Sequence, residues 1–148
     1  MRLQLTSIAP RPGTGPAQQL LEQYLGRIMP YLAVEALVFR SEAAFLDTLA
    51  KPKARTAPVC ILLDSRGRQL PSEQLATLLD THKLSATQLL IFAIGPADGW
   101  SDDARATANS LLSLGPMTLP HELARLILAE QLYRACTILA GHPYHSGH

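Results

Sequence analysis

Two short segments, Pro58–Asp64 (PVCILLD) and Gln88–Ile94 (QLLIFAI), are apolar almost from end to end. A strand with one wet face alternates between apolar and polar side chains. An unbroken apolar run of this length therefore predicts a strand covered on both faces, as in parallel sheets clad by helices. Met1–Ile8 (MRLQLTSI) alternates as a further strand, and Leu32–Phe39 and Leu111–Leu114 complete the set. Helical patterns fill the intervals. Ala17–Ile28 places Leu20, Leu21, Tyr24 and Ile28 on one face. Ser41 stands where it would cap a helix over Glu42–Ala50, and Ser72 where it would cap one reaching about His82. Ser101 precedes Asp102 and Asp103, acids suited to the positive end of a helix dipole. Strands alternating with helices predict an α/β fold with a mostly parallel sheet flanked by helices, organised as one domain over residues 1–148.

The last third, Leu111 to His145, is the most densely punctuated part of the chain. Gly115-Pro116 ends a short apolar run, and Pro120 falls at a first helical position, where its missing N–H costs nothing. A long helix follows and is stopped by Gly141 and Pro143. It carries two apolar stripes, Leu123/Ile127/Ile138 and Ala124/Leu128/Leu132/Ala135/Leu139. An apolar arc this wide calls for cover on two sides, one supplied by the sheet and the other by a second copy of the chain.

Composition narrows the class. With 148 residues, 47% of them hydrophobic, the chain has room for one real core. No apolar run approaches a membrane span, and no charged-then-apolar leader is expected, so the protein is expected to be cytoplasmic. Cys60 and Cys136 lie inside predicted elements without metal-ligand spacing and read as reduced core thiols. A net charge of +1 does not announce a nucleic-acid binder. Lys51, Lys53, Arg55, Arg66 and Arg68 nevertheless crowd a region in which Asp64 is the only acid. Such a cluster is either a solvated loop or a phosphate-contacting patch.

Ligands of open α/β sheets bind beyond the carboxyl ends of strands. Three loops leave such ends: Asp64–Arg68, Gly95–Gly99 and Leu114–Leu119. Neither GxGxxG nor GxxxxGK[ST] is present, and Gly95 and Gly99 fit tight turns as well as ligand approach. His142, His145 and His148 close the chain, but Pro143 and Gly147 keep their rings off a common helical face and no acid or cysteine joins them, so no metal is assigned. The tail is either a frayed terminus or a folded segment. In the folded case Tyr144 can stack on a base and His145 can exchange a proton near neutral pH. His121 is assigned to the helix start, Trp100 to packing, and His82 has no evident role.

Ile94-Gly-Pro-Ala-Asp-Gly99, Met117-Thr-Leu-Pro-His121, Glu130-Gln-Leu-Tyr-Arg-Ala135 and Gly141-His-Pro-Tyr-His145, with Leu63-Asp64 through Gly67 and Ser72-Glu73, together carry a family likeness. The chain resembles the small SPOUT-class methyltransferases of the RlmH family, which methylate N3 of a pseudouridine in large-subunit (23S) ribosomal RNA. The resemblance implies a SPOUT α/β knot at the C-terminal end and S-adenosylmethionine bound by Leu63, Gly95 and the run Leu114, Gly115, Pro116, Met117, Thr118 and Leu119. It also implies a homodimer packed through the last helix. His145 would orient the base or relay its proton, Tyr144 would stack or hydrogen bond, and Arg134, Arg66 and Arg68 would contact phosphates of the ribosomal RNA. The sequence departs from the family pattern in four places: Pro96 replaces a second glycine, Ser113-Leu-Gly115 replaces SxS, Ser146 stands where a basic residue follows the final histidine, and Arg11 with Pro and Gly residues replaces the lysines common after the first strand. A ribosome-binding relative without catalysis, or a SPOUT enzyme acting on another RNA, is the alternative.

Overall fold

The computed structural model describes residues 1–51 and 56–146; Lys53, Arg55, Gly147 and His148 of the sequence analysis lie outside them. The chain runs β1 (Arg2–Ile8), α1 (Pro16–Ile28), β2 (Ala33–Phe39), α2 (Glu42–Ala50), β3 (Val59–Gln69), α3 (Ser72–Leu84), β4 (Leu89–Ile94), α4 (Asp102–Thr107), β5 (Ser110–Ser113) and α5 (His121–Ala140). A 3-10 turn over Pro143–His145 follows. The five strands form one sheet in the order β2-β1-β4-β3-β5. Every pairing is parallel, so the sheet exceeds the mostly parallel expectation. The apolar runs behave as their composition requires: β4 occupies the centre, and Leu90, Ile91, Phe92, Ala93 and Ile94 are all buried.

Two cores lie on the two faces of the sheet. On one face α1, α3 and α5 bury Leu21, Ile28, Leu75, Leu79, Leu128 and Leu132 against Leu3, Leu5, Ile61 and Phe92. On the other, α2 and α4 set Phe45 and Ala104 against Ile8, Leu62, Ile91 and Trp100. Each fully buried leucine or phenylalanine contributes roughly 1.5–3 kcal/mol relative to exposure. Both cysteines are free and buried, and loss of hydration pushes their thiols up to about 12 for Cys60 and about 11 for Cys136, which keeps them inert.

Several expectations are corrected. Residues 64–68 do not leave the sheet as a free loop. Leu63 and Arg68 both pair with Leu112, so the intervening residues arch outward and β3 then resumes beside β5. The Arg66 N–H donates to Asp64 Oδ1 at 2.8 Å and tightens the arch. Gly67 is required there, because a Cβ would sit 2.5 Å from the Leu112 nitrogen. Leu20 is 38% exposed and does not join the buried face of α1, which rests on Leu21 and Ile28. Ser72 is the first residue of α3 rather than its cap; Pro71 holds that place, and the Ser72 hydroxyl donates to Gln131 Oε1 at 2.6 Å. Pro120 likewise caps α5 from outside, one residue earlier than expected. Along α5 the buried line is Leu128, Ala129, Leu132, Ala135 and Cys136, while Leu123 and Leu139 remain 45% and 39% exposed. His82 turns out to meet Thr87, with Nδ1 3.1 Å from Oγ1.

Candidate active site

The strands run the same way because the sheet is parallel, and the start of the arch within β3 (Leu63–Ser65), together with the chain leaving β4 and β5, borders one cleft of about 510 Å3. That volume suits a ligand of nucleoside-plus-amino-acid size. Leu63, Gly95, Leu114, Gly115, Pro116, Met117, Thr118 and Leu119 all line it, so the structure brings together every residue named from the sequence for the cofactor. The segment after β5 is steadied by Ser113, whose hydroxyl donates to the Gly115 carbonyl at 3.0 Å and accepts from the Gly115 N–H at 3.1 Å. Gly95 is needed for a reason other than ligand approach: a Cβ there would lie 2.8 Å from the Trp100 indole. Trp100 is buried in turn, and its Nε1 donates to the Leu63 carbonyl at 3.0 Å. The packing role read for this residue thus also fixes the ends of β3 and β4 relative to each other.

Two polar features of the cleft escaped the sequence analysis. Asp64 accepts from Arg105 Nε at 2.8 Å, an ion pair joining β3 to α4. Burial works against the Asp64 charge, but the Arg66 N–H and the Arg105 guanidinium outweigh it and hold the carboxyl below its ordinary range. On the opposite wall His121 opens α5, and its Nε2 is buried with no hydrogen-bond partner among the described residues. Burial, reinforced by the nearby Arg125 charge, lowers its pKa and keeps the ring neutral. Pairs so far apart in sequence leave no local signal; for His121, its place between the predicted cofactor run and the helix was the available cue.

The tail forms a second group. Gly141 takes a left-handed conformation (φ 71°) and ends α5, and the His142 Nδ1 accepts from the Tyr144 N–H at 3.1 Å to start the 3-10 turn. The folded alternative therefore holds over Pro143–His145. Tyr144 donates to Glu130 Oε1 at 3.0 Å, stacks edge-on against Tyr133 at 4.7 Å and lies under the Arg134 guanidinium at 4.9 Å. Burial and the Glu130 hydrogen bond push its phenol upward, so it stays protonated. His145 is set between Arg134, 3.0 Å from Nδ1, and Glu73, 2.8 Å from Nε2. Arg134 also pairs with Glu130 at 2.7 Å. Arg66 and Arg68 are exposed on the arch and on the end of β3; Arg66 has Asp102 3.9 Å away. Lys51 pairs with Asp47. Arg134, Tyr144 and His145 do not line this cleft. A smaller hollow of about 310 Å3 lies between the two groups, sharing Ser113–Gly115 with the cleft and reaching Ser72 and Gln131. No group of three or more potential metal ligands occurs among the described residues.

Comparison with known proteins decides the family. Residues 1–145 match the model described as "Predicted SPOUT methyltransferase". The chain belongs to the SPOUT methyltransferase family. It is 53% identical over 131 residues to a ribosomal RNA large subunit methyltransferase H from Koribacter versatilis, covering 88% of this chain and 89% of the relative. The protein of the same name from Deinococcus radiodurans is 42% identical over 147 residues, 99% of this chain and 100% of the relative. Among solved structures, the SpoU methyltransferase AviRb from Streptomyces viridochromogenes superposes with a TM-score of 0.53 at 14% identity, over 95% of this chain and 61% of that one. Its complex with the cofactor AdoMet gives 0.51, over 94% and 60%. At that identity the likeness concerns the fold.

As a SPOUT methyltransferase the chain uses S-adenosylmethionine as methyl donor. The cleft suits this molecule: it has the volume and a wall of backbone from the 113–119 segment. Among the described residues no helix is long and apolar enough to cross a membrane.

Proposed function

We propose that the protein methylates N3 of a pseudouridine in large-subunit ribosomal RNA, acting in the cytoplasm as a homodimer of one SPOUT unit per chain. The observation that carries this is the convergence of Leu63, at the arch of β3, Gly95, just after β4, and the whole run Leu114–Leu119, just after β5, on one cleft. The curated relatives named above, similar along nearly the whole chain, support the choice of RNA. In keeping with the family, the segment after β5 and α5 would form the knot that closes this cleft.

S-adenosylmethionine supplies, when bound, a methyl group on a positively charged sulfur. The residues of this chain would do the rest by position. Backbone groups of 114–119 would orient the donor, and Trp100 would keep the walls in register. The accepting nitrogen carries a proton that must leave, and His145 is the side chain suited to orient the base or relay that proton, with Tyr144 beside it. From His121 to Arg134 the helix rises about 20 Å at roughly 1.5 Å per residue. A tail docked against Glu130 and Arg134 is therefore far from the helix end that borders its own cleft. This separation supports a composite site in which one subunit's tail serves the cleft of its partner through packed α5 helices. Arg66, Arg68 and Arg134 would meet backbone phosphates.

The test combines binding and product analysis. The purified protein should bind S-adenosylmethionine by isothermal titration, and rRNA from a deletion strain should lack one methyl group on mass spectrometry. Undiminished methylation in that strain would favour a ribosome-binding role without catalysis; loss from a different RNA would move the substrate. His145→Ala should leave cofactor affinity and folding nearly intact while lowering turnover by about a hundred- to ten-thousandfold, the range of a lost general acid or base. Unchanged turnover would place the chemistry elsewhere.

A further inference from the structure

The hollow of about 310 Å3 beside the donor cleft is walled by Leu75, Leu112, Ile127 and Leu128, with Ser72 and Gln131 among its polar side chains. It borders the donor cleft at Ser113–Gly115. Its size lies at the small end of ligand sites, enough for one flat base between apolar walls. Gln131 is held there in one orientation. Its Nε2 donates to Glu130 Oε2 at 3.0 Å, and Glu130, a carboxylate paired with Arg134, only accepts, so the amide cannot be turned over. The Oε1 therefore faces Ser72, whose hydroxyl donates to it at 2.6 Å. An amide oxygen has two lone pairs, and this bond uses one. The second is left for a donor on a ligand.

We infer that Gln131, aimed by Ser72 and Glu130, is the residue that tells pseudouridine from uridine. This rests on the reading that the chain methylates N3 of a pseudouridine. A methyl acceptor must lie next to the donor, and this hollow adjoins the donor cleft. In pseudouridine the sugar is joined to carbon, so the ring keeps an N1–H. At the matching corner uridine presents a C–H. With the base seated in the hollow, the second lone pair of Gln131 Oε1 accepts that N1–H. N3 lies one carbonyl further round the ring and stays clear for the methyl group. A uridine seated in the same way leaves the amide oxygen short of a donor between apolar walls, a loss of about ten- to a hundredfold. Ser72 acts through Gln131 and is a positioning residue.

The test measures methyl transfer by the full chain onto two kinds of ribosome. One comes from the deletion strain and keeps the pseudouridine; the other comes from a strain that also lacks the pseudouridine-forming enzyme and carries uridine there. The unmodified protein should favour the first by about ten- to a hundredfold in kcat/KM. Gln131→Met, close in size but without hydrogen-bonding groups, should bring that ratio near one. Ser72→Ala should lower it by a smaller factor. Neither residue lines the donor cleft, so S-adenosylmethionine affinity by calorimetry should hold in both variants and certifies their fold. Should the methionine variant not fold, Ser72→Ala carries the comparison. An unchanged ratio in Gln131→Met, whatever its absolute rate, or no preference by the unmodified protein, would overturn the inference while leaving the methyltransferase assignment standing. Methylation of neither ribosome by the unmodified protein would sink both.

Discussion

Asp64 sits where the arch, α4 and the cleft meet, with its side chain 4% exposed and both oxygens occupied by donors. Its carboxyl titrates below the ordinary value of 3.8 in the folded chain. A group whose folded pKa is depressed stabilises the fold fully above its unfolded pKa, and that contribution disappears as pH falls through the folded value. Asp64→Asn should therefore lower the urea midpoint at neutral pH and flatten the loss of stability on acidification. Denaturation curves collected across the acid range check this, and an acid limb as steep as that of the unmodified protein would refute it. The residue could be placed at a strand end from sequence, but its partner Arg105 is 41 positions away and nothing local announces it. The cofactor run was legible by another route. Strand pattern pointed to the loops after the buried runs, and the family resemblance, not the pattern, picked out Leu63, Gly95 and Leu114–Leu119 among them; all of these line the one cleft.

Capping shows where local chemistry decides an element and where packing overrides it. Ser41 and Ser101 each accept from the N–H three residues on, at 3.1 Å, as their positions in the sequence suggested. Ser101 is additionally held by Glu42, which accepts its N–H at 2.8 Å and its hydroxyl at 2.6 Å and so ties the starts of α2 and α4 together. Ser72 has the same appearance in sequence, but its hydroxyl is taken by Gln131 on α5. Ser41→Ala should accordingly cost about 1 kcal/mol in chemical denaturation, the usual loss for such a cap. A change indistinguishable from zero would mean that α2 is held by packing alone. The arch in β3 was illegible for a related reason: residues 64–68 read as a loop beyond a strand end until β5 is laid against Gly67.

At the scale of the molecule, α5 is covered on one side by α1, α3 and the sheet, and it leaves Leu123 and Leu139 exposed along with Met117 just before it. The width of the apolar arc led to the expectation of two partners; the sheet side with α1 and α3 is one of them, and a second copy of the chain is the proposed other. Light scattering should return twice the mass of one chain. Leu123→Glu, which sets a charge on the open stripe, should shift the protein toward the single-chain mass without unfolding it, read by circular dichroism. An unmodified protein that runs as a single chain at high concentration would contradict the dimer. The strand order was beyond reach of the sequence because parallel neighbours are joined through helices, and no pattern within β1 says that β2 and β4 will flank it.

The only tryptophan of the chain is the one pressed against Gly95 in the cleft wall. Its emission is accordingly an intrinsic optical reporter of what enters there, free of background from any other indole. Quenching or a wavelength shift on adding nucleoside ligands would follow occupancy in real time, with no label attached to the protein.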